Sequence, residues 1–166
     1  TVTETITGVD LVQAQIRIAE GYKLSDSQVR VPPQEELGHR GFAIQCRITT
    51  ENPAKNFAPD YGRISTYRSA AGFGLRLDGG TAFGGAVITP YYDSLLVKVT
   101  ASGTDFVEAA ARLFRGLSEF RVRGIATNIP FLLNVLRHPT FLEGKCDTGF
   151  IEANPALFAW KEPRDR

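Results

Sequence analysis

The sequence predicts an α+β domain, one antiparallel β-sheet with flanking helices. Three observations carry this prediction. Apolar residues recur at helical spacing near the N-terminus, the period changes to two at Gly41, and it returns to 3.6 at Thr104. One helix, four or five strands and then two helices follow in that order. A run of strands, in place of alternating strand and helix, builds an antiparallel sheet and not a doubly wound parallel one.

The first helix is expected over residues 8–20, because Val9, Val12, Ile16 and Ala19 share one face. Thr7 or Gly8 caps it, Asp10 sits in the first turn where the dipole favours an anion, and Gly21 is a natural residue just past its end. Residues 22–40 are polar and turn-rich, and Pro32-Pro33 forbids continued helix, so they form a long ordered loop. Phe42, Ile44, Cys46 and Ile48 then alternate with Ala43, Gln45, Arg47 and Thr49, the pattern of a half-buried strand. Asn52-Pro53, Pro59-Asp60 and Tyr61-Gly62 are turn chemistry. Arg63–Tyr67, Phe73–Leu77 and Ala86–Thr89 are short strands between glycines, and Ser94–Ala101 has the composition of a central strand.

Thr104 is a fitting N-cap for a helix near 105–119, with Val107, Ala110, Ala111, Phe114 and Leu117 as its buried stripe. Phe120–Arg123 is a short strand ended by Gly124. Thr127 or Asn128 caps the next helix, Pro130 lies in its first turn, and His138-Pro139 stops it. Residues 140–166 hold short apolar stretches and a charged end.

Composition excludes several classes. Of 166 residues, 43% are hydrophobic, enough for a packed core without disulfides or metals. Nineteen basic against eighteen acidic residues leave a net charge of +1, which gives no field for nucleic acid or an anionic membrane. Cys46 and Cys146 lie far apart in no ligand-like spacing, so a reducing compartment is the default. No apolar stretch approaches the roughly 18 residues of a membrane helix, and no signal pattern opens the chain. The chain contains no methionine and opens at Thr1, so it is expected to be a cut through a larger fold.

Few side chains suggest chemistry unaided. Gly72-Phe73-Gly74 and Gly79-Gly80 lead from strand to strand, whereas a phosphate loop leads into a helix, so they are read as hairpin turns. Arg47 projects from the strand face opposite Cys46 and Ile48. Such an arginine is most often solvated, and its functional alternative is an oxyanion or phosphate partner held on a rigid strand. Tyr91-Tyr92-Asp93 is either a strand-start turn or a carboxylate and a phenol at the mouth of the sheet. Lys98 is expected to face solvent or an ion-pair partner. His39 and His138 fit no catalytic arrangement, Cys46 is a core residue and Cys146 a loop thiol. No carboxylate and histidine set has metal-ligand spacing.

Several ordered stretches carry a resemblance. Thr3-Glu4-Thr5-Ile6-Thr7-Gly8-Val9-Asp10-Leu11-Val12, Gln45-Cys46-Arg47-Ile48-Thr49-Thr50-Glu51-Asn52-Pro53 and Gly72-Phe73-Gly74-Leu75-Arg76-Leu77-Asp78-Gly79-Gly80 are three of them. Tyr91-Tyr92-Asp93-Ser94-Leu95-Leu96-Val97-Lys98 and Gly124-Ile125-Ala126-Thr127-Asn128 complete the set. Together these resemble the biotin carboxylase domain of the biotin-dependent carboxylases. Within that family, Arg47–Pro53, Phe57–Ile64 and Arg76–Gly80 resemble the pyruvate carboxylase branch more than the acetyl-CoA type. The resemblance spans residues 1–158 and implies the C-terminal subdomain of an ATP-grasp biotin carboxylase, with 159–166 starting a linker.

The resemblance implies a ligase half-reaction in which Mg-ATP activates bicarbonate and the carboxyl group passes to biotin on a separate carrier domain, then to pyruvate. It implies that Arg47 is the catalytic arginine facing the biotin ureido oxygen and that Asp93 and Tyr92 line the substrate side of that pocket. Phe73 and Arg76 match a dimer interface, and Thr148 matches the adenine side, where relatives carry histidine or arginine in place of Gly149. Metal ligands, ATP-binding lysines and the general base belong to family stretches absent from this sequence. The implied partners are the N-terminal and central biotin carboxylase subdomains, the biotin carrier and a second copy, with a tetramer as a further assembly. The segment alone is expected to be inactive. The compartment would be bacterial cytoplasm or mitochondrial matrix. Two other readings are the same subdomain of an acetyl-CoA or propionyl-CoA carboxylase, and a non-catalytic dimerisation module.

Overall fold

The structure, a computed structural model, describes residues 1–80 and 82–159. The segment expected to start a linker at 159–166 therefore lies outside the described residues beyond Ala159. The elements in order are α1 (Val2–Thr7), α2 (Leu11–Ala19), β1 (Phe42–Thr49), β2 (Glu51–Asn52), β3 (Ala58–Pro59), β4 (Gly62–Arg63), β5 (Thr66–Arg68), β6 (Leu75–Gly79), β7 (Val87–Ile88) and β8 (Leu95–Gly103). Then come α3 (Phe106–Glu119), β9 (Arg121–Arg123), α4 (Ile129–Arg137), α5 (Pro139–Leu142) and α6 (Phe150–Ala153).

Two helices replace the single one expected over 8–20. Gly8, at φ 73°, closes α1 in the left-handed conformation that glycine adopts without strain. Asp10 then caps α2, its side chain accepting the Gln13 N–H at 2.8 Å, in place of Thr7 or Gly8. The apolar stripe of α2 is also not the core face expected. Val9 and Ala14 are buried, but Val12 is 63% and Ile16 55% exposed, because α2 lies on the surface of the described residues.

The main sheet is antiparallel with order β1-β8-β6, so β8 is central and buried through Leu96, Val97, Val99, Thr100 and Ala101. Its apolar face, carrying Cys46, Ile48, Val97, Val99 and Ala101, shares one core with Leu113 and Leu117 of α3. The helix starts one residue later than Thr104 implied. Asp105 accepts the Glu108 N–H at 2.7 Å, while Glu108 reaches back to Thr104, whose N–H and hydroxyl donate at 2.6 and 2.7 Å. Those two bonds, aided by Arg112, hold the Glu108 carboxyl below the usual carboxylate range. The face turned inward is Ala109, Ala110, Leu113, Gly116 and Leu117, whereas Val107 and Ala111 of the expected stripe are exposed.

The expected strand Arg63–Tyr67 divides because its backbone changes partners. Ile64 N–H donates to Ala86, alongside the β4–β7 pairing, and Ser65 N–H donates to Arg123, where β5–β9 pairing begins. Gly124 follows at φ 96°, against the Arg63 carbonyl, where a Cβ would collide. Gly72 and Gly74 precede β6, Gly79 ends it and Gly80 follows; they lead to no helix, but they are not the expected hairpin turns either, because β6 pairs with β8 while β5 pairs with β9 and β7 with β4. Phe131, Phe150 and Leu157 form a second core with Phe57 and Phe158, which holds the C-terminal segment on α4. His138 ends α4 and also begins α5, its Nδ1 accepting the Thr140 N–H at 3.3 Å.

Candidate functional site

The polar face of the main sheet is fixed by strand periodicity and register. Because Cys46 and Ile48 point into the core, Gln45 and Arg47 point to the opposite side. Antiparallel pairing sets Gln45 opposite Thr100, Arg47 opposite Lys98, and Lys98 in turn opposite Asp78 of β6. Thr100 is buried and its hydroxyl accepts from Gln45 Nε2 at 3.1 Å. Arg76 bonds Asp78 Oδ1, at 3.0 Å from Nη2, and reaches Glu4 of α1 at 3.6 Å. Asp78, then Glu4, thus hold the Arg76 guanidinium more firmly charged than usual. The second Asp78 oxygen, Oδ2, is buried and has no hydrogen-bond partner among the described residues.

Arg47 and Lys98 are left as adjacent cations. Among the described residues, neither side chain has a hydrogen-bond or ion-pair partner. Directly opposed side chains stand about 5 Å apart at Cβ, and like charges there repel. The pair is therefore suited to an anion or to an oxygen that gains negative charge. A guanidinium on a rigid strand brings several donors to one atom with little reorganisation.

The end of β1 that carries Arg47 is bound to α4. Asn128 accepts the Thr49 N–H at 3.0 Å through Oδ1 and donates through Nδ2 to the Arg47 carbonyl at 3.0 Å. Its own N–H donates to the Thr49 carbonyl at 3.2 Å. Sequence pattern marks Asn128 as a cap, but its side chain makes no cap bond and crosses to β1 instead. Nearby, Glu51 accepts from the Thr49 hydroxyl at 2.8 Å and from the Ser94 hydroxyl at 3.2 Å, tying β1 to the start of β8.

The remaining candidates divide into groups. Tyr91, Tyr92 and Asp93 precede β8 at the same end of the β1–β8 ladder as Arg47. Tyr91 and Tyr92 are 86% and 85% exposed, and Asp93 Oδ1 accepts the Leu95 N–H at 3.1 Å, the strand-start turn that sequence allowed. Phe73 is 87% exposed with the Arg112 guanidinium 5.2 Å above its ring, and Arg76 follows on β6. Thr148 is exposed in the loop before α6 and is not in the strand row; its neighbour Phe150 packs edge-on against His138 at the far end of α4. Burial pushes the Cys46 thiol up to about 12, whereas Cys146 is exposed. A concavity lined by Thr5, Gly8, Glu36, His39 and Arg40 contains none of the row. Among the described residues, no group of three or more His, Cys, Asp or Glu is placed to hold a metal ion, and no helix is long and apolar enough to cross a membrane.

The profile of the biotin carboxylase C-terminal domain matches residues 45–153, and that of the carbamoyl-phosphate synthase L chain ATP-binding domain matches residues 1–27. Pyruvate carboxylase 1 of Caenorhabditis elegans is 58% identical over the whole chain, which spans only 14% of that protein. The complete multifunctional pyruvate carboxylase of Rhizobium etli superposes with a TM-score of 0.91 at 53% identity, covering 99% of this chain and 16% of that one. The biotin carboxylase domain dimer of Hydrogenobacter thermophilus 2-oxoglutarate carboxylase, in complex with ADP, magnesium and bicarbonate, superposes at 0.88 and 39% identity, covering 97% of this chain and 34% of that one.

Proposed function

The chain belongs to the biotin carboxylase C-terminal domain family, and from that premise we propose that it is one wall of the biotin carboxylase site of a pyruvate carboxylase. The observation that carries the choice within the family is the 54–58% identity over the full chain to pyruvate carboxylases of Bacillus subtilis and Caenorhabditis elegans. The whole enzyme would use ATP to place a bicarbonate-derived carboxyl group on carrier-bound biotin, and then transfer it to pyruvate to give oxaloacetate.

Bound biotin would supply the nitrogen that takes up the carboxyl group, and ATP with magnesium the activation of bicarbonate. The unpaired guanidinium of Arg47 fits the biotin ureido oxygen. Held there, the fixed Arg47 cation would stabilise the negative charge that develops on that oxygen and so lower the barrier to carboxyl transfer. Lys98 beside it raises the local positive potential. Asp93 and Tyr92, at the same end of the ladder, border the approach to Arg47. The described residues offer no set of ligands that fits magnesium, whose ligands would come from the other subdomains. ATP would be held by residues of the N-terminal and central subdomains, with Thr148 as this chain's candidate on the adenine side.

Residues 1–158 act as one unit in this proposal, with 159–166 leading toward the next domain. The exposed apolar side of α2, within the segment that matches an ATP-binding domain, would pack on the central subdomain. Phe73 and Arg76 would form the contact with a second copy; an exposed aromatic beside an arginine is the composition of an interface anchor. A homodimer follows, with a tetramer as a further assembly, in mitochondria or bacterial cytoplasm according to source.

The test is to supply the complete protein with bicarbonate, Mg-ATP and either pyruvate, acetyl-CoA or propionyl-CoA. Oxaloacetate formation from pyruvate alone is the expected result, and carboxylation of an acyl-CoA in its place overturns the assignment. The 166 residues by themselves should cleave no ATP in response to bicarbonate.

A further inference from the structure

We propose that Asn128 is the positioning residue for Arg47, fixing the backbone from which the guanidinium projects at the carboxyl-transfer step. This rests on the role given to Arg47 above. An arginine side chain is long and flexible, so where its guanidinium sits depends first on where its backbone is held. β1 is an edge strand of the sheet, and half the backbone groups of an edge strand face away from the ladder. Its pairing with β8 also shifts register between Ile48 and Thr49, immediately beyond Arg47.

Asn128 repairs that end of the strand. Its carboxamide spans the Arg47 carbonyl and the Thr49 N–H, and its N–H takes the Thr49 carbonyl, so one residue substitutes for a missing strand neighbour. The mount is rigid. Asn128 is 7% exposed, stands at the head of α4, and α4 is anchored by buried Phe131 and Leu136. A displacement of about 1 Å in a reacting group can cost on the order of 100-fold in rate, so loss of these bonds should register in catalysis.

The experiment uses the complete carboxylase with Asn128→Ala, Arg47→Gln and the double substitution, measuring carboxyl transfer to free biotin and the KM for ATP. Asn128→Ala is expected to slow transfer by about 10- to 100-fold with the KM for ATP unchanged. In the Arg47→Gln background it should slow transfer no further. A full additional loss in the double variant overturns the positioning role while leaving Arg47 in place. An unchanged rate for Arg47→Gln alone overturns the reading of Arg47, and this inference with it. Should Asn128→Ala melt below the assay temperature, Asn128→Asp serves for the same cycle. It keeps the acceptor for Thr49 but sets a carboxylate oxygen against the Arg47 carbonyl in place of the donor, so transfer should still fall, and an unchanged rate would overturn the proposal.

Discussion

Arg47 and Lys98 face each other directly across the antiparallel β1–β8 ladder, and neither has an ionic partner among the described residues. On the other side of Lys98 stands Asp78, already engaged by Arg76. The row thus places two unneutralised cations where a fold optimised for stability alone would alternate charge.

That arrangement predicts a trade between stability and function. Arg47→Gln should leave the fold as stable or raise stability by up to about 1 kcal/mol, the range of a relieved like-charge cross-strand contact. Urea denaturation of the domain reads this directly. A loss of stability would mean that Arg47 holds the fold together.

Phe73 is nearly fully exposed, with the Arg112 guanidinium over its ring. Phe73→Ala should leave the melting temperature of the complete protein nearly unchanged yet weaken self-association by roughly tenfold or more, as loss of an interface anchor does. Arg76→Glu should act in the same direction. Sedimentation across a dilution series measures both, and unchanged association would remove these residues from the interface.

The two thiols should behave oppositely. Cys146 is exposed and should react with a thiol reagent at pH 8, whereas Cys46 should react only after unfolding. The folded state keeps the Cys46 thiol protonated up to about 12, while the unfolded chain releases that proton near the ordinary 9.0. Stability from this group is therefore complete below pH 9 and falls as pH rises from 9 toward 12. Cys46→Ala should flatten that decline.

Leu113 is fully buried between α3 and the sheet. Leu113→Ala should cost about 2–5 kcal/mol, while Asp105→Ala, which removes only a helix cap, should cost about 1 kcal/mol. Denaturant midpoints of the two variants give the order.

What sequence could and could not reveal follows from range. The alternation through Phe42–Thr49 was enough to put Cys46 and Ile48 inside and Arg47 outside, because strand facing is a local property. The neighbours of Arg47 were not legible, since Lys98 and Asp78 reach it only through the register of three strands. Asn128 has the local signature of a cap, and only the folded chain shows its carboxamide spent on β1. In α2 the apolar stripe is present, but a stripe does not say what covers it. Thr104 and Asp105 are both competent caps, and the small residues of α3 make its stripe ambiguous: packing on the sheet buries Ala109, Ala110, Leu113, Gly116 and Leu117 and leaves Val107 and Ala111 outside.

The most direct measurement is carboxyl transfer from bicarbonate to biotin in the complete carboxylase with Arg47→Gln, alongside the KM for ATP. Removing a preorganised donor from a site of developing negative charge should lower transfer by about 100- to 1,000-fold while ATP binding holds. Transfer at the unsubstituted rate, or a matching loss of ATP binding, would contradict the assignment of Arg47 to the biotin oxygen.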